Sequence, residues 1–224
     1  MNSIKERPAL FNGAIVRAIL EGRKTLTRRA IKPQPHIDAS DNFCVGSSNY
    51  GQDLCGKPVT KHFINDCCLY GKPGDRLWVR ETFAYADKSG THDAAPDDHW
   101  RPVRPGMEPE IYRCWYRASD GHAADGFWKP SIHMPRWASR ILLEVTDVRV
   151  ERLQDISDKE IEAEGIDLDA LADEQDRYDM CHAGSGADGR PTLRTAWREL
   201  WESTGGDWDA NPWVWCVSFK RVTP

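Results

Sequence analysis

Four short segments in which apolar and polar side chains alternate constrain the fold of this chain more than any other feature. Each segment is flanked by polar stretches that contain proline or glycine, a pattern typical of β-strands joined by turns and loops. Helical patterns fall between them without a regular strand–helix–strand repeat, which favours a small mixed or barrel-like sheet over a parallel doubly wound one. The predicted strands are residues 76–82, 111–117, 140–150 and 213–219.

Capping residues mark two of three predicted helices among these strands, and the third is marked by apolar residues on one side, namely Ala196, Trp197, Leu200 and Trp201. Asn12 is suited to cap the start of the first helix, and Gly22 can end it in a left-handed turn. Ser157 and Glu160 have the spacing of a capping box, in which each side chain binds the backbone amide of the other residue. The predicted helices cover residues 11–22, a short segment that ends near Gly165, and residues 192–204.

Three polar stretches show little periodicity, and we interpret them as long inserts within one domain. A chain of 224 residues is long enough for one large domain, and the sequence contains no internal repeat. We therefore predict the α+β class, with flanking short helices and a single domain over residues 1–224. The predicted loop inserts lie near residues 33–70, 86–110 and 167–191.

Composition argues against several classes of protein. No run approaches the ~20 apolar residues that span a bilayer, and the first residues carry no secretory signal, so we expect a cytoplasmic protein with no membrane partner. The seven cysteines include no CxxC pair, which indicates scattered thiols and no metal site. The chain has no glycine-rich phosphate loop, and we expect no cofactor.

Charge is unevenly distributed along the chain. The net charge of −5 argues against an electrostatic grip on nucleic acid by the whole protein. Residues 155–179 contain eleven acidic and two basic residues, whereas residues 23–32 contain five basic ones that could contact phosphate or form a solvated face. Aromatic rings close to arginines, as at Trp115 and Trp137, are typical of surfaces on which bases stack.

Three segments, in order, resemble the ASCH family. Residues 22–29, GRKTLTRR, resemble its GxKTxTxR signature, and residues 73–81, PGDRLWVRE, resemble the turn and strand that follow the signature. Residues 153–166 resemble the later helix of the family, which ends in a Glu-Gly pair. The long inserts, together with residues 129–137 and 211–215, resemble the larger branch of the family, which is often encoded by phages or prophages.

The resemblance implies a PUA-like small β-barrel with a cleft that handles a nucleoside or RNA. One branch of this family hydrolyses N(4)-acetylcytidine, and its working lysine, threonine and glutamate match Lys24, Thr27 and Glu164. The expected partner is therefore a modified nucleoside or single-stranded RNA. Residues that we expect to contact it are Arg23, Arg28, Arg29, Trp78, Glu81, Trp115 and Trp137.

Amide hydrolysis needs a nucleophile, a group that accepts its proton, and donors for the developing oxyanion. Thr27 could be the nucleophile or could hold an attacking water. Lys24 could be the base if its pKa is lowered, or it could stabilise the oxyanion if it stays charged. Glu164 could return a proton to the leaving nitrogen, and Arg29 could bind the substrate or orient Glu164.

One geometric condition accompanies this interpretation. In a regular strand Lys24 and Thr27 would point to opposite faces, because side chains alternate with a period of two. The two side chains can share a site only if the chain bends after Gly22, and we predict such a bend.

Other functions fit the same residues. The cleft could bind RNA or a modified nucleotide without catalysis, or it could assist a ribonuclease reaction at a ribose 2′-hydroxyl. A third hypothesis is a phage accessory protein whose acidic residues 155–179 mimic the charge of a nucleic acid or dock a basic partner. Of these, we favour an amidohydrolase that acts on an N(4)-acylated cytidine or a related base.

Overall fold

A five-stranded mixed sheet organises the computed structural model, which describes residues 4–53, 60–87, 111–120, 128–182 and 189–222. The strands are β1 (Glu6–Leu10), β2 (Leu26–Ala30), β3 (His36–Ile37), β4 (Phe43–Val45), β5 (Ser48–Asn49), β6 (Arg76–Arg80), β7 (Phe83–Asp87), β8 (Ile111–Tyr116), β9 (Leu142–Arg152) and β10 (Trp213–Val222). The helices are α1 (Gly13–Leu20), α2 (Lys61–Cys67), α3 (Arg117–Asp120), α4 (Asp158–Ala163), α5 (Leu168–Cys181) and α6 (Leu193–Ser203).

The strand order of the main sheet is β1-β6-β9-β10-β2. The pair β1–β6 is parallel, whereas β6–β9, β9–β10 and β10–β2 are antiparallel. The long central pair, β9 and β10, carries a register shift between Ser218 and Phe219. Strand β2, which contains the second half of the predicted signature, therefore lies at one edge of the sheet.

The predicted α+β class is confirmed, but the predicted small β-barrel is not. Among the described residues the five strands form an open sheet that ends in β1 and β2. Side chains alternate in the same way in an open sheet and in the wall of a barrel, so alternation in the sequence could not distinguish the two arrangements.

Both faces of the main sheet carry apolar side chains. Along β10, Trp215 and Val217 belong to one buried cluster, and Val214 and Cys216 belong to another. The first cluster includes side chains from α1, and the second includes Trp197 and other side chains from α4 and α6. Strand β10 is thus buried on both sides, which explains its nearly continuous apolar sequence.

The predicted helix caps are present. The Asn12 side chain accepts a hydrogen bond from the Ile15 amide at 2.9 Å, and Gly22 follows α1 with a φ of +80°. Ser157 and Glu160 form the predicted capping box at the start of α4. In the part of the chain that the structure describes, no helix has the length and apolar character needed to cross a membrane.

The segments interpreted as loop inserts contain regular elements where they are described. Residues 33–70 include the small sheet β3-β4-β5 and helix α2, and they place Phe43 and Phe63 in the core. Strands of two or three residues are too short to give a periodic pattern, so the sequence could not indicate them. Residues 167–191 include the 14-residue helix α5, whereas the predicted insert 86–110 lies outside the described residues beyond β7.

Candidate active site

A cavity of about 130 Å³ lies at the β2 edge of the main sheet, between the start of α1 and one side of α6. Within the described residues β2 has no neighbouring strand on this side, and its consecutive residues Thr27, Arg28 and Arg29 all border the cavity. Polar residues along the wall are Asn12, Lys24, Thr27, Arg28, Arg29, Glu164 and Thr204, and aromatic ones are Phe11, Trp197 and Trp201.

The predicted bend brings Lys24 and Thr27 to this cavity together. After Gly22 the Lys24 amide donates to the Ala18 carbonyl at 3.0 Å, and the Thr25 amide donates to the Ala163 carbonyl at 2.9 Å. Regular strand structure begins only at Leu26. Lys24 therefore lies outside the alternation of β2, and its side chain and that of Thr27 border one space.

Lys24 and Glu164 form a buried pair inside the cavity wall. The Lys24 Nζ donates to Glu164 Oε2 at 2.6 Å and to the Glu164 main-chain carbonyl at 2.7 Å. The two side chains are only 2% and 3% exposed. Burial lowers the pKa of Lys24, and although the Glu164 carboxylate raises it, the net shift is downward. The amine is thus closer to a neutral base than an exposed lysine would be.

Arg28 lies next to this pair and contacts several acidic residues. Its side chain is 0% exposed, and Nη2 donates to Glu151 at 3.0 Å and to Glu160 at 3.3 Å. Arg149 binds the same two carboxylates from the outer side, at 2.5 Å and 2.7 Å. Burial acts to raise the pKa of Glu160, but hydrogen bonds from Arg149 and Ser157 outweigh it and lower the pKa to about 2.

Arg23 and Arg29 also make contacts within the protein, and they do not form the solvated basic face that was considered from the sequence. Arg23 pairs with Glu21, and its Nη1 donates to the Gly165 carbonyl at 2.9 Å. Arg29 borders the cavity, donates to the Leu10 carbonyl at 2.7 Å, and lies 5.1 Å from the centre of the Phe11 ring. Arg23 is partly exposed and does not border the cavity, whereas Arg28 and Arg29 both do.

The other predicted contact residues lie apart from the cavity. Trp78 lies on β6 with the Arg80 guanidinium 5.5 Å from its ring centre, and Trp115 is paired with Ala84 between β8 and β7. Trp137 packs edge-on against Tyr85. The structure therefore does not bring Trp78, Trp115 and Trp137 to the cavity with Lys24, Thr27 and Glu164.

Glu81 belongs to a second cavity of about 320 Å³, which it borders with Arg17 and Arg117. Its buried carboxylate accepts two hydrogen bonds from Arg140, at 2.9 Å and 3.0 Å. Burial raises the pKa of Glu81, and the Arg140 contact only partly offsets this rise. The contact with Arg140 makes Glu81 a structural anchor for the segment after β6.

The aromatic part of the cavity wall comes from residues that the sequence indicated only as core. Trp197 and Trp201 were expected on the apolar side of α6, where they are buried. They also border the cavity, as does Phe11 after β1. Their position depends on how α6 packs against the sheet edge, a long-range contact that the periodicity of the helix does not specify.

In the described part of the chain, no three His, Cys, Asp or Glu side chains are grouped so that they could hold a metal ion. Comparisons with protein-family models, with curated proteins and with solved structures find no match for this chain.

Gly165 fixes how closely Glu164 approaches Lys24, and replacing it should disturb the pair. Its φ is +92°, and an added Cβ would lie 2.9 Å from the Cβ atoms of both Ala18 and Lys24. We expect Gly165→Ala to lower the free energy of unfolding by about 2–4 kcal/mol, through backbone strain plus overpacking. Urea denaturation measures the change.

Gly205 offers a matched control for this substitution. Its φ is +81°, and an added Cβ would have no atom within 4 Å. Gly205→Ala should therefore show the strain alone, about 1 kcal/mol. Equal losses in the two variants would contradict the close contact between Gly165 and Lys24.

Proposed function

We propose that this protein is an ASCH-type amidohydrolase that removes the acyl group from an N(4)-acylated cytosine nucleoside. The observation that carries the proposal is the convergence of Lys24, Thr27 and Glu164 on one small cavity. These are the three positions that match the working residues of the N(4)-acetylcytidine branch, and Lys24 and Glu164 are 140 residues apart in the sequence. We infer also that the mixed sheet is related to a PUA-like barrel.

The chemistry follows from the groups on the cavity wall. The Thr27 hydroxyl attacks the acyl carbon, and Lys24 accepts the proton of that hydroxyl. The lowered pKa of Lys24 favours the neutral amine that can act as this base. The bond from the acyl carbon to N(4) breaks, and the proton that Lys24 accepted passes through Glu164, 2.6 Å away, to that nitrogen. This step releases cytidine and leaves Lys24 neutral again. Water then attacks the Thr27 ester, releases the carboxylic acid, and restores the hydroxyl.

The aromatic and polar residues around the cavity support a small planar ligand. Phe11, Trp197 and Trp201 supply aromatic surface, and the polar groups are concentrated beside β2. Aromatic faces can stack on a base, and placed polar groups can fix its orientation. The described cysteines are free thiols, as is usual for the reducing cytoplasm in which we place the protein.

The direct test is incubation of the purified protein with N(4)-acetylcytidine. We expect cytidine and acetate to appear in equal amounts, measured by chromatography, with no metal or cofactor added. Heat-denatured protein serves as the control for spontaneous hydrolysis.

Absence of product at micromolar protein would contradict the proposed reaction. Binding of unmodified single-stranded RNA, weakening steeply with salt, would then favour the non-catalytic function. The positions of Arg23, Arg28 and Arg29 give that alternative no support beyond the sequence, because each is held by contacts within the protein.

A further inference from the structure

Buried polar atoms without a hydrogen-bond partner are concentrated at the cavity. Four such atoms belong to three residues that border it: Nε and Nη1 of Arg28, Oε1 of Glu164, and Nε1 of Trp197 have no hydrogen-bond partner among the described residues. Native proteins pair nearly all buried polar groups, so three such residues around one space indicate that a ligand supplies the missing partners.

The unpaired atoms define the chemistry of that ligand. Arg28 and the Trp197 indole can only donate hydrogen bonds, whereas an ionised Glu164 can only accept them. The Arg28 Nη1 and Glu164 Oε1 atoms form an ion pair at 3.9 Å, which is too long for a hydrogen bond between them. At this separation both atoms can bind neighbouring atoms of one group. The matching group carries an acceptor beside a donor, as the C=O and N–H of an amide do.

We propose that Arg28 and Trp197 bind the acyl carbonyl oxygen of the substrate and that Glu164 Oε1 accepts a hydrogen bond from its amide N–H. This inference rests on the proposed substrate class, and it assigns Trp197 as a specificity-determining residue. The Arg28 guanidinium is held in place because its Nη2 already donates hydrogen bonds to Glu151 and Glu160. Donors fixed in this way are suited to the negative charge that develops on the carbonyl oxygen during attack.

Trp197→Phe isolates the indole N–H, because it keeps an aromatic ring on α6. Trp213→Phe is the matched control, since the Trp213 Nε1 is also buried without a partner among the described residues but does not border the cavity. Arg28→Met is less suitable, because it also removes internal ion pairs and threatens folding.

The experiment measures the binding of two nucleosides by calorimetry in a Thr27→Val background, in which the proposed nucleophile is absent. N(4)-acetylcytidine presents the carbonyl, and N(4)-ethylcytidine has the same N–H and a similar size without the carbonyl. We expect the acetyl compound to bind at least about tenfold more tightly, since a site built to hydrogen-bond a group rejects the analogue that lacks it. Adding Trp197→Phe should reduce that preference by about tenfold, whereas adding Trp213→Phe should leave it unchanged.

The outcomes separate this inference from the proposed reaction. A carbonyl preference that survives Trp197→Phe overturns the inference even if the wild type releases cytidine. A preference that depends on Trp197, in a protein whose wild type releases no cytidine, supports the inference and overturns the reaction. If neither nucleoside binds, or if Trp197→Phe weakens both equally, the carbonyl contact is wrong.

Discussion

Replacing Lys24 with methionine is expected to lower the rate of N(4)-acetylcytidine hydrolysis by about 10³-fold, because the side chain that accepts the nucleophile's proton is lost. The same change should lower the free energy of unfolding by about 3–5 kcal/mol, since the buried Glu164 side chain loses its hydrogen bond from Lys24 and keeps only the longer contact with Arg28, at 3.9 Å. Among the described residues, Lys24 is the one hydrogen-bond donor to the Glu164 side chain, at 2.6 Å. Product release and urea denaturation measure the two effects.

A double variant separates stability from catalysis. Lys24→Met with Glu164→Leu replaces both members of the buried pair with apolar groups, which is often close to neutral for stability. We expect the double variant to recover most of the stability lost in Lys24→Met and none of the activity. A Lys24→Met protein that is as active as the wild type would show that Lys24 lies outside the reaction, and the proposed function would then lose its base.

Local features of the fold were predictable because they depend on neighbouring residues. Asn12 caps α1, and Ser157 with Glu160 caps α4, as their spacing indicated. The bend between α1 and β2 follows from the same kind of reasoning, since only a break after Gly22 lets Lys24 and Thr27 share a site.

Features that depend on distant residues were not predictable from the sequence. The acids that hold Arg28 lie more than 120 positions away, on β9 and α4, so its run of basic neighbours suggested an exposed phosphate contact instead. Trp115, Trp137 and Trp197 all lie beside or near arginines in the sequence, yet of these three only Trp197 borders the cavity. It does so with Trp201, on a helix that reaches the site by packing. Sequence proximity of a ring and a cation gave no information about which cavity the ring would border.

Replacing Arg28 with methionine is expected to lower the free energy of unfolding by about 3–5 kcal/mol. Arg28 is fully buried, and its loss would leave Glu151 and Glu160 without the cation that faces them from inside the protein. Carboxylates kept together in a poorly solvated place repel each other, and the penalty is larger where water cannot screen it. Urea denaturation, with the slope of the transition compared between variants, gives the loss in stability.

Arg149→Met is the matched control, because Arg149 binds the same two carboxylates from a position that is 41% exposed. Solvent screens such a contact, so we expect its removal to cost about 1 kcal/mol or less. Both arginines contact the same two acids. The comparison therefore tests whether the burial of an arginine, and not its number of ion pairs, sets its contribution to the free energy of unfolding. Equal losses in the two variants would mean that water reaches Arg28, and a solvated Arg28 could not act as the fixed donor that the carbonyl contact requires.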